Sequence, residues 1–175
     1  MARMVADFLA AKPISRIIAS PLLRTRQTAH PLAQAVGIEV TLDERVIEGA
    51  NQFQGSRVNA IKLLSTPSLW PRLRNPLRPS WGEPYRDIAK RMMAAVSDAE
   101  QSVKSGDVVI FSHQLPIWMT HRYVAGVPLP HLPSSRRCTL GSVTTFALIE
   151  GRWREVGYQE PAKSLLGDAI DLGAV

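Results

Sequence analysis

The chain has a single cysteine, Cys138, so no internal disulfide can brace it. Its four histidines do not stand among cysteines or paired carboxylates at ligand spacing, and no structural zinc site or other metal centre is expected. No apolar run is long enough to span a membrane, and Met1–Ala11, interrupted by Arg3 and Asp7, lacks the apolar core of a signal peptide; a cytoplasmic location is the expectation. The net charge of +6 comes from scattered Arg and Lys without a basic run interleaved with aromatics, so it points to acidic small molecules before nucleic acid. What is present is a 175-residue chain that is 45% apolar, enough for one domain with a substantial core.

Apolar spacing predicts a helix over Ala2–Ala11, ending before Pro13, and a buried strand over Ile14–Ala19. A helix over Leu22–Val36, closed by Gly37, should follow and then a strand over Ile38–Leu42. Asp43–Arg57 reads as a loop that bears Glu44 and Glu48, Arg57–Leu64 as a short helix, and Ser65–Ser80 as an irregular insertion rich in Pro, Trp and Arg. A helix from Pro84 places Ile88, Met92, Val96, Ala99 and Val103 on one face; this stripe is core. Asp107–Ser112 is a buried strand ending at His113, Leu115–Val124 is a helix, and Ser142–Ile149 with Arg152–Tyr158 form a hairpin. The expected unit is one α/β domain over residues 1–161 with a surface tail over 162–175.

Chemistry gathers at two strand ends. Ser20 suits a helix N-cap and Pro21 a first helical position, which would aim backbone N–H groups and Arg24 at one anion, most simply a phosphate. The alternative is a capped core helix. In an open α/β sheet the loops beyond the carboxyl ends converge, so His113 belongs near the same spot, where it would serve as a charge-assisted donor. The loop with Glu44 and Glu48 is the nearest source of a carboxylic acid to protonate a leaving group.

The run Ser20-Pro21-Leu22-Leu23-Arg24-Thr25-Arg26-Gln27-Thr28-Ala29 resembles the Ser-Pro-Leu-x-Arg-x-x-Gln-Thr-Ala signature of the histidine phosphatase superfamily, which includes phosphoglycerate mutases. Val108–His113 resembles that family's second-histidine strand, and Glu48 with Gly55 its acid-bearing loop. The resemblance implies a three-layer α/β/α sandwich and a phosphomonoester hydrolase, with a mutase-type phosphotransferase as the alternative. It implies that Arg24 clamps the phosphoryl group with Ser20 and Gln27 beside it, that His113 stabilises its charge, and that Glu48 donates the proton, with Glu44 as runner-up. Glu83 resembles a Gly-Glu-Ser position and falls in the substrate-binding set or behind it. The family uses no metal and no cofactor, and passes through a phosphohistidine.

The same resemblance exposes a departure. The family's nucleophile stands in an Arg-His-Gly motif on a first strand ahead of the first helix, and this chain begins in that helix. His30, His121 and His131 read as surface or packing residues. The expectation is a protein that starts at an internal methionine of a longer one, or a degenerate member; in either case the 175 residues should bind phosphate, scarcely hydrolyse it, and be prone to self-associate through an open sheet edge. A non-catalytic domain that holds a phosphorylated ligand is the competing reading. Arg72, Arg74, Arg78, Arg136 and Arg137 read as a solvated rim, or as a selector of acidic or multiply phosphorylated substrates if they approach the pocket; binding of nucleic acid through them is the remaining alternative.

Overall fold

The computed structural model describes residues 1–49 and 82–166. The short helix expected over Arg57–Leu64, the insertion over Ser65–Ser80 with Arg72, Arg74 and Arg78, and most of the tail lie outside the described residues.

Helix α1 (Ala2–Ala10) turns at Pro13 into strand β1 (Ile14–Ala19), which leads to α2 (Leu23–Val36) and β2 (Val40–Leu42). After a 3-10 turn at Glu44–Val46 come α3 (Tyr85–Gln101), β3 (Asp107–Phe111) and α4 (Gln114–Val124). An antiparallel hairpin of β4 (Val143–Ile149) and β5 (Arg152–Gln159) completes the described elements.

The three parallel strands lie in the order β2-β1-β3. Strand alternation sorts β1 between two cores: Ile17 and Ala19 face Val5, Leu9, Ala29 and Leu32 of α1 and α2, while Ile18 faces Ile88, Met92 and Met119 of α3 and α4. Ile17, Leu32, Ile88 and Met119 are fully buried, so both helix layers are anchored on the same strand. This is the three-layer α/β/α arrangement expected of an apolar strand between amphipathic helices. As expected, Ile88, Met92 and Ala99 of the α3 stripe are core.

The starts of α2 and β2 differ from the sequence expectation. Helix α2 begins at Leu23 with Leu22 as its N-cap in extended backbone; Ser20 Oγ accepts the Leu22 N–H at 3.4 Å and lies against His113 Nε2, while Thr25 Oγ1 donates to the carbonyls of Ser20 and Leu22. Strand β2 is shorter, since Ile38 N–H is drawn back to the Ala33 carbonyl in the turn after Gly37, whose φ of 69° suits a residue without a Cβ.

Among the described residues β3 pairs only with β1, and β4 only with β5. Between β3 and β4 lies a cleft of about 440 Å3. The side chains of Val109 and Phe146 line it from the strands, Leu9 from α1, Met92 from α3 and Ile117 from α4. It therefore sits in the middle layer, walled by apolar groups from both helix layers.

Candidate active site at the carboxyl end of the sheet

Parallel register puts Ala19 beside Phe111, so Ser20 and His113, one and two residues beyond, emerge at the same edge. Ser20 N–H donates to the Phe111 carbonyl at 2.9 Å and locks the two strand ends together. The buried Ser20 Oγ lies 2.9 Å from His113 Nε2, and Arg24 Nε donates to His113 Nδ1 at 3.2 Å. Because Nδ1 accepts from an arginine, the proton resides on Nε2 and is donated to Ser20. Burial, reinforced by the charges of Arg24 and Arg91, pushes the His113 pKa down to about 4. Beside two arginines and out of water, the imidazolium form of His113 is disfavoured, and the ring is neutral at pH 7 in the free protein.

Glu48 reaches the site through a short chain of contacts. Ser112 Oγ donates to the carbonyl of buried Val46 at 2.7 Å, which fixes the 3-10 turn against the end of β3. The loop then passes so close to Ile88 and Leu115 that a Cβ on Gly49 would come within 3.0 Å of each, and Gly49 N–H donates to Glu48 Oε1 at 3.0 Å. Glu48 Oε2 ends 3.9 Å from His113 Nδ1, and the Glu48 side chain is only 8% exposed. Burial raises its pKa, against the opposing pull of the Gly49 N–H, Arg24, Arg136 and Arg91. A carboxyl group so placed holds its proton to higher pH than an exposed one does, which suits a general acid.

The structure therefore brings together Ser20, Arg24, Glu48 and His113. Glu44 is exposed in the 3-10 turn, and Gln27 is exposed on α2. Glu83 is held in a two-pronged fork by Arg91, Nε to Oε1 at 2.8 Å and Nη2 to Oε2 at 2.9 Å, while Arg91 Nη1 donates to the Arg45 carbonyl. Its carboxylate is thus engaged with the protein rather than presented free. The first backbone N–H drawn into α2 is that of Thr25, which leaves those of Leu23 and Arg24 at the helix start beside the Arg24 side chain.

Sequence reasoning missed Arg91, whose charge bears on both Glu48 and His113. Its position inside the Ile88–Met92 stretch, eight residues after Glu83, was the available signal, since an arginine beside a core face needs a buried acceptor. His30 is exposed on α2, His121 is hydrogen-bonded to Glu155, and His131 contacts Leu129 and Arg136. No group of three or more His, Cys, Asp or Glu among the described residues could hold a metal ion, and no described helix is long and apolar enough to cross a membrane.

Comparison with known proteins agrees with this fold. An uncharacterised Mycobacterium tuberculosis protein, Rv0525, is 44% identical over 162 residues, covering 92% of this chain and 80% of that one. The native structure of mycobacterial glucosyl-3-phosphoglycerate phosphatase Rv2419c superposes with a TM-score of 0.70 at 22% identity, over 89% of this chain and 82% of that one. A phosphoserine phosphatase mutant from Entamoeba histolytica, in complex with phosphoserine, gives 0.71 at 19% identity, over 92% and 81%. The sequence pattern of the histidine phosphatase superfamily, branch 1, matches residues 1–161, and the chain belongs to that family.

Proposed function

We propose that the carboxyl end of the sheet binds the phosphoryl group of a small phosphomonoester, and that the protein works as a phosphomonoester hydrolase of the histidine phosphatase type. The observation that carries this reading is the convergence on His113 Nδ1 of Arg24 at 3.2 Å and Glu48 at 3.9 Å. Arg24 presents a planar fork to two non-bridging oxygens, and the backbone N–H groups at the start of α2 add donors. An arriving dianion reverses the electrostatics at His113, which takes up a proton on Nδ1, gives up the bond it accepts from Arg24, and becomes a second charged donor. Phosphatase relatives of the same fold support the reaction class.

The reaction divides into two displacements. A histidine nitrogen attacks phosphorus as the ester P–O bond breaks, and the leaving oxygen takes the proton of Glu48. Water, deprotonated by the Glu48 carboxylate, then attacks the phosphohistidine; the P–N bond breaks, and phosphate and free histidine are released. His30 is exposed on α2, His121 is bonded to Glu155 and His131 to Leu129 and Arg136, and none of the three is hydrogen-bonded to Arg24 as His113 is. The reading therefore takes the nucleophile from an Arg-His-Gly strand that these 175 residues do not contain, and the apolar middle-layer cleft beside β3 is a place of fitting character for it.

Two forms test this with p-nitrophenyl phosphate and calorimetry. The 175-residue chain is expected to bind inorganic phosphate, to lose about a hundredfold in affinity on Arg24→Ala, and to turn over slower by roughly 10⁶ than a chain extended ahead of Met1 by an apolar strand ending in Arg-His-Gly. Robust turnover by the 175-residue chain that disappears in His113→Ala would reassign the nucleophile. Phosphate binding with no product release from either form would favour the second reading, a domain that holds a phosphorylated ligand. That reading draws on the absence of a placed nucleophile among the described histidines. The same proposal places the protein in the cytoplasm with a small phosphorylated molecule as its partner, and leaves nucleic acid without a role.

A further inference from the structure

Arg136 lies in the connection between α4 and β4, and its guanidinium is oriented by neutral groups alone. Its Nε donates to His131 Nε2 at 2.9 Å, and its Nη1 lies 3.5 Å from Gln114 Oε1. Both anchors are fixed in turn. His131 is buried and its Nδ1 is 2.9 Å from the Leu129 carbonyl, so its proton sits on Nδ1 and Nε2 is free to accept. Gln114 is the residue after His113, and its Nε2 donates to the Cys138 carbonyl at 3.0 Å.

The neighbouring Arg137 is built differently. It is exposed, ion-paired to Glu155 and placed over the Tyr158 ring at 4.6 Å. Among the described residues no carboxylate lies within ion-pair distance of Arg136, although it is half-buried. A partly desolvated, oriented arginine without an ion-pair partner is a costly arrangement for a protein that gains nothing from it. Gln114 ties it to the residue that contacts Arg24, and its charge reaches Glu48.

We infer that Arg136 is the specificity-determining residue for a second anionic group on the substrate: beyond the phosphoryl group held by Arg24, the preferred ligand carries a carboxylate or a second phosphate. The inference rests on the phosphomonoester reading above. Arg136 touches the second group through its Nη atoms, and His131 acts as a positioning residue that orients it without neutralising it.

Calorimetry on the 175-residue chain with two probes of similar size tests it: 2-phosphoglycolate, which carries a carboxylate, and ethyl phosphate, which does not. The wild type is expected to prefer 2-phosphoglycolate by about tenfold or more, the scale of one charge-assisted contact. Arg136→Gln should bring the ratio of the two dissociation constants close to one, Arg136→Lys should keep part of the preference, and His131→Ala should lie between. Equal binding of both probes by the wild type, or a preference that survives Arg136→Gln, would overturn the inference and leave the phosphomonoester reading standing. Failure of the wild type to bind either probe would overturn both.

Discussion

The carboxyl end of the sheet and the connection after α4 hold the same pair of groups, an arginine Nε donated to a buried imidazole nitrogen. Arg24 meets His113 at 3.2 Å and Arg136 meets His131 at 2.9 Å. Arg91 and Arg137 are held in the other way, by the carboxylates of Glu83 and Glu155. A carboxylate orients an arginine and cancels its charge; a neutral imidazole orients it and leaves the charge available. The two imidazole-held arginines are therefore the ones with an anion still to meet, and the two carboxylate-held ones serve the fold.

The largest test of this division is acid. An unfolded imidazole takes its proton near pH 6.5, whereas folded His113 resists until about 4. The unfolded state therefore binds more protons between these values, and stability falls as pH drops through them. Burial lowers the pKa of His131 as well, with the same sign. Glu48, whose folded pKa is raised, acts in the opposite sense and gives up stability as pH rises past its unfolded value. In urea unfolding the wild type should lose about 3 kcal/mol more than His113→Gln between pH 7 and pH 4. Parallel losses in the two proteins would mean that His113 is not held neutral, and the likeness of the two pairs would fail.

A smaller effect separates the carboxylate-held class. Arg91→Met leaves the Glu83 carboxylate and the Arg45 carbonyl without their donor, and should lower unfolding free energy by about 2 kcal/mol. Affinity for inorganic phosphate should change less than on Arg24→Ala. A loss of phosphate affinity as large as that of Arg24→Ala would move Arg91 into the other class. The smallest effect belongs to Arg137→Ala, which removes an exposed partner of Glu155 and should cost below about 1 kcal/mol in thermal unfolding. A larger loss would show that exposure misjudges this pair.

How far the sequence is readable follows from the range of each interaction. Strand β1, the Pro-bounded helices and β3 are written in local apolar spacing, and Ser20, Arg24 and His113 sit at element ends that local rules can find. The N-cap of α2 falls at Leu22 rather than Ser20, whose hydroxyl lies against His113, 93 residues away. Glu44 and Glu48 cannot be ranked from a loop without periodicity. What separates them is the bond from Ser112 to Val46 and the close passage of Gly49, both contacts between distant segments. The role of Arg136 is hidden for the same reason: nothing local to the Pro-rich connection tells an arginine that faces Gln114 from a neighbour that faces Glu155.

The cleft between β3 and β4 has a consequence for how the middle layer exchanges its hydrogens. In a parallel ladder successive amides point to alternate sides, so those of β3 that face β1 are tied down while those between them face the cleft. Deuterium should enter β3 in an every-second-residue pattern, slow toward β1 and fast toward β4, and an added strand that fills the cleft would convert the fast amides to slow ones. The rhythm of exchange along five residues thus reports whether the middle of this sandwich is open or closed.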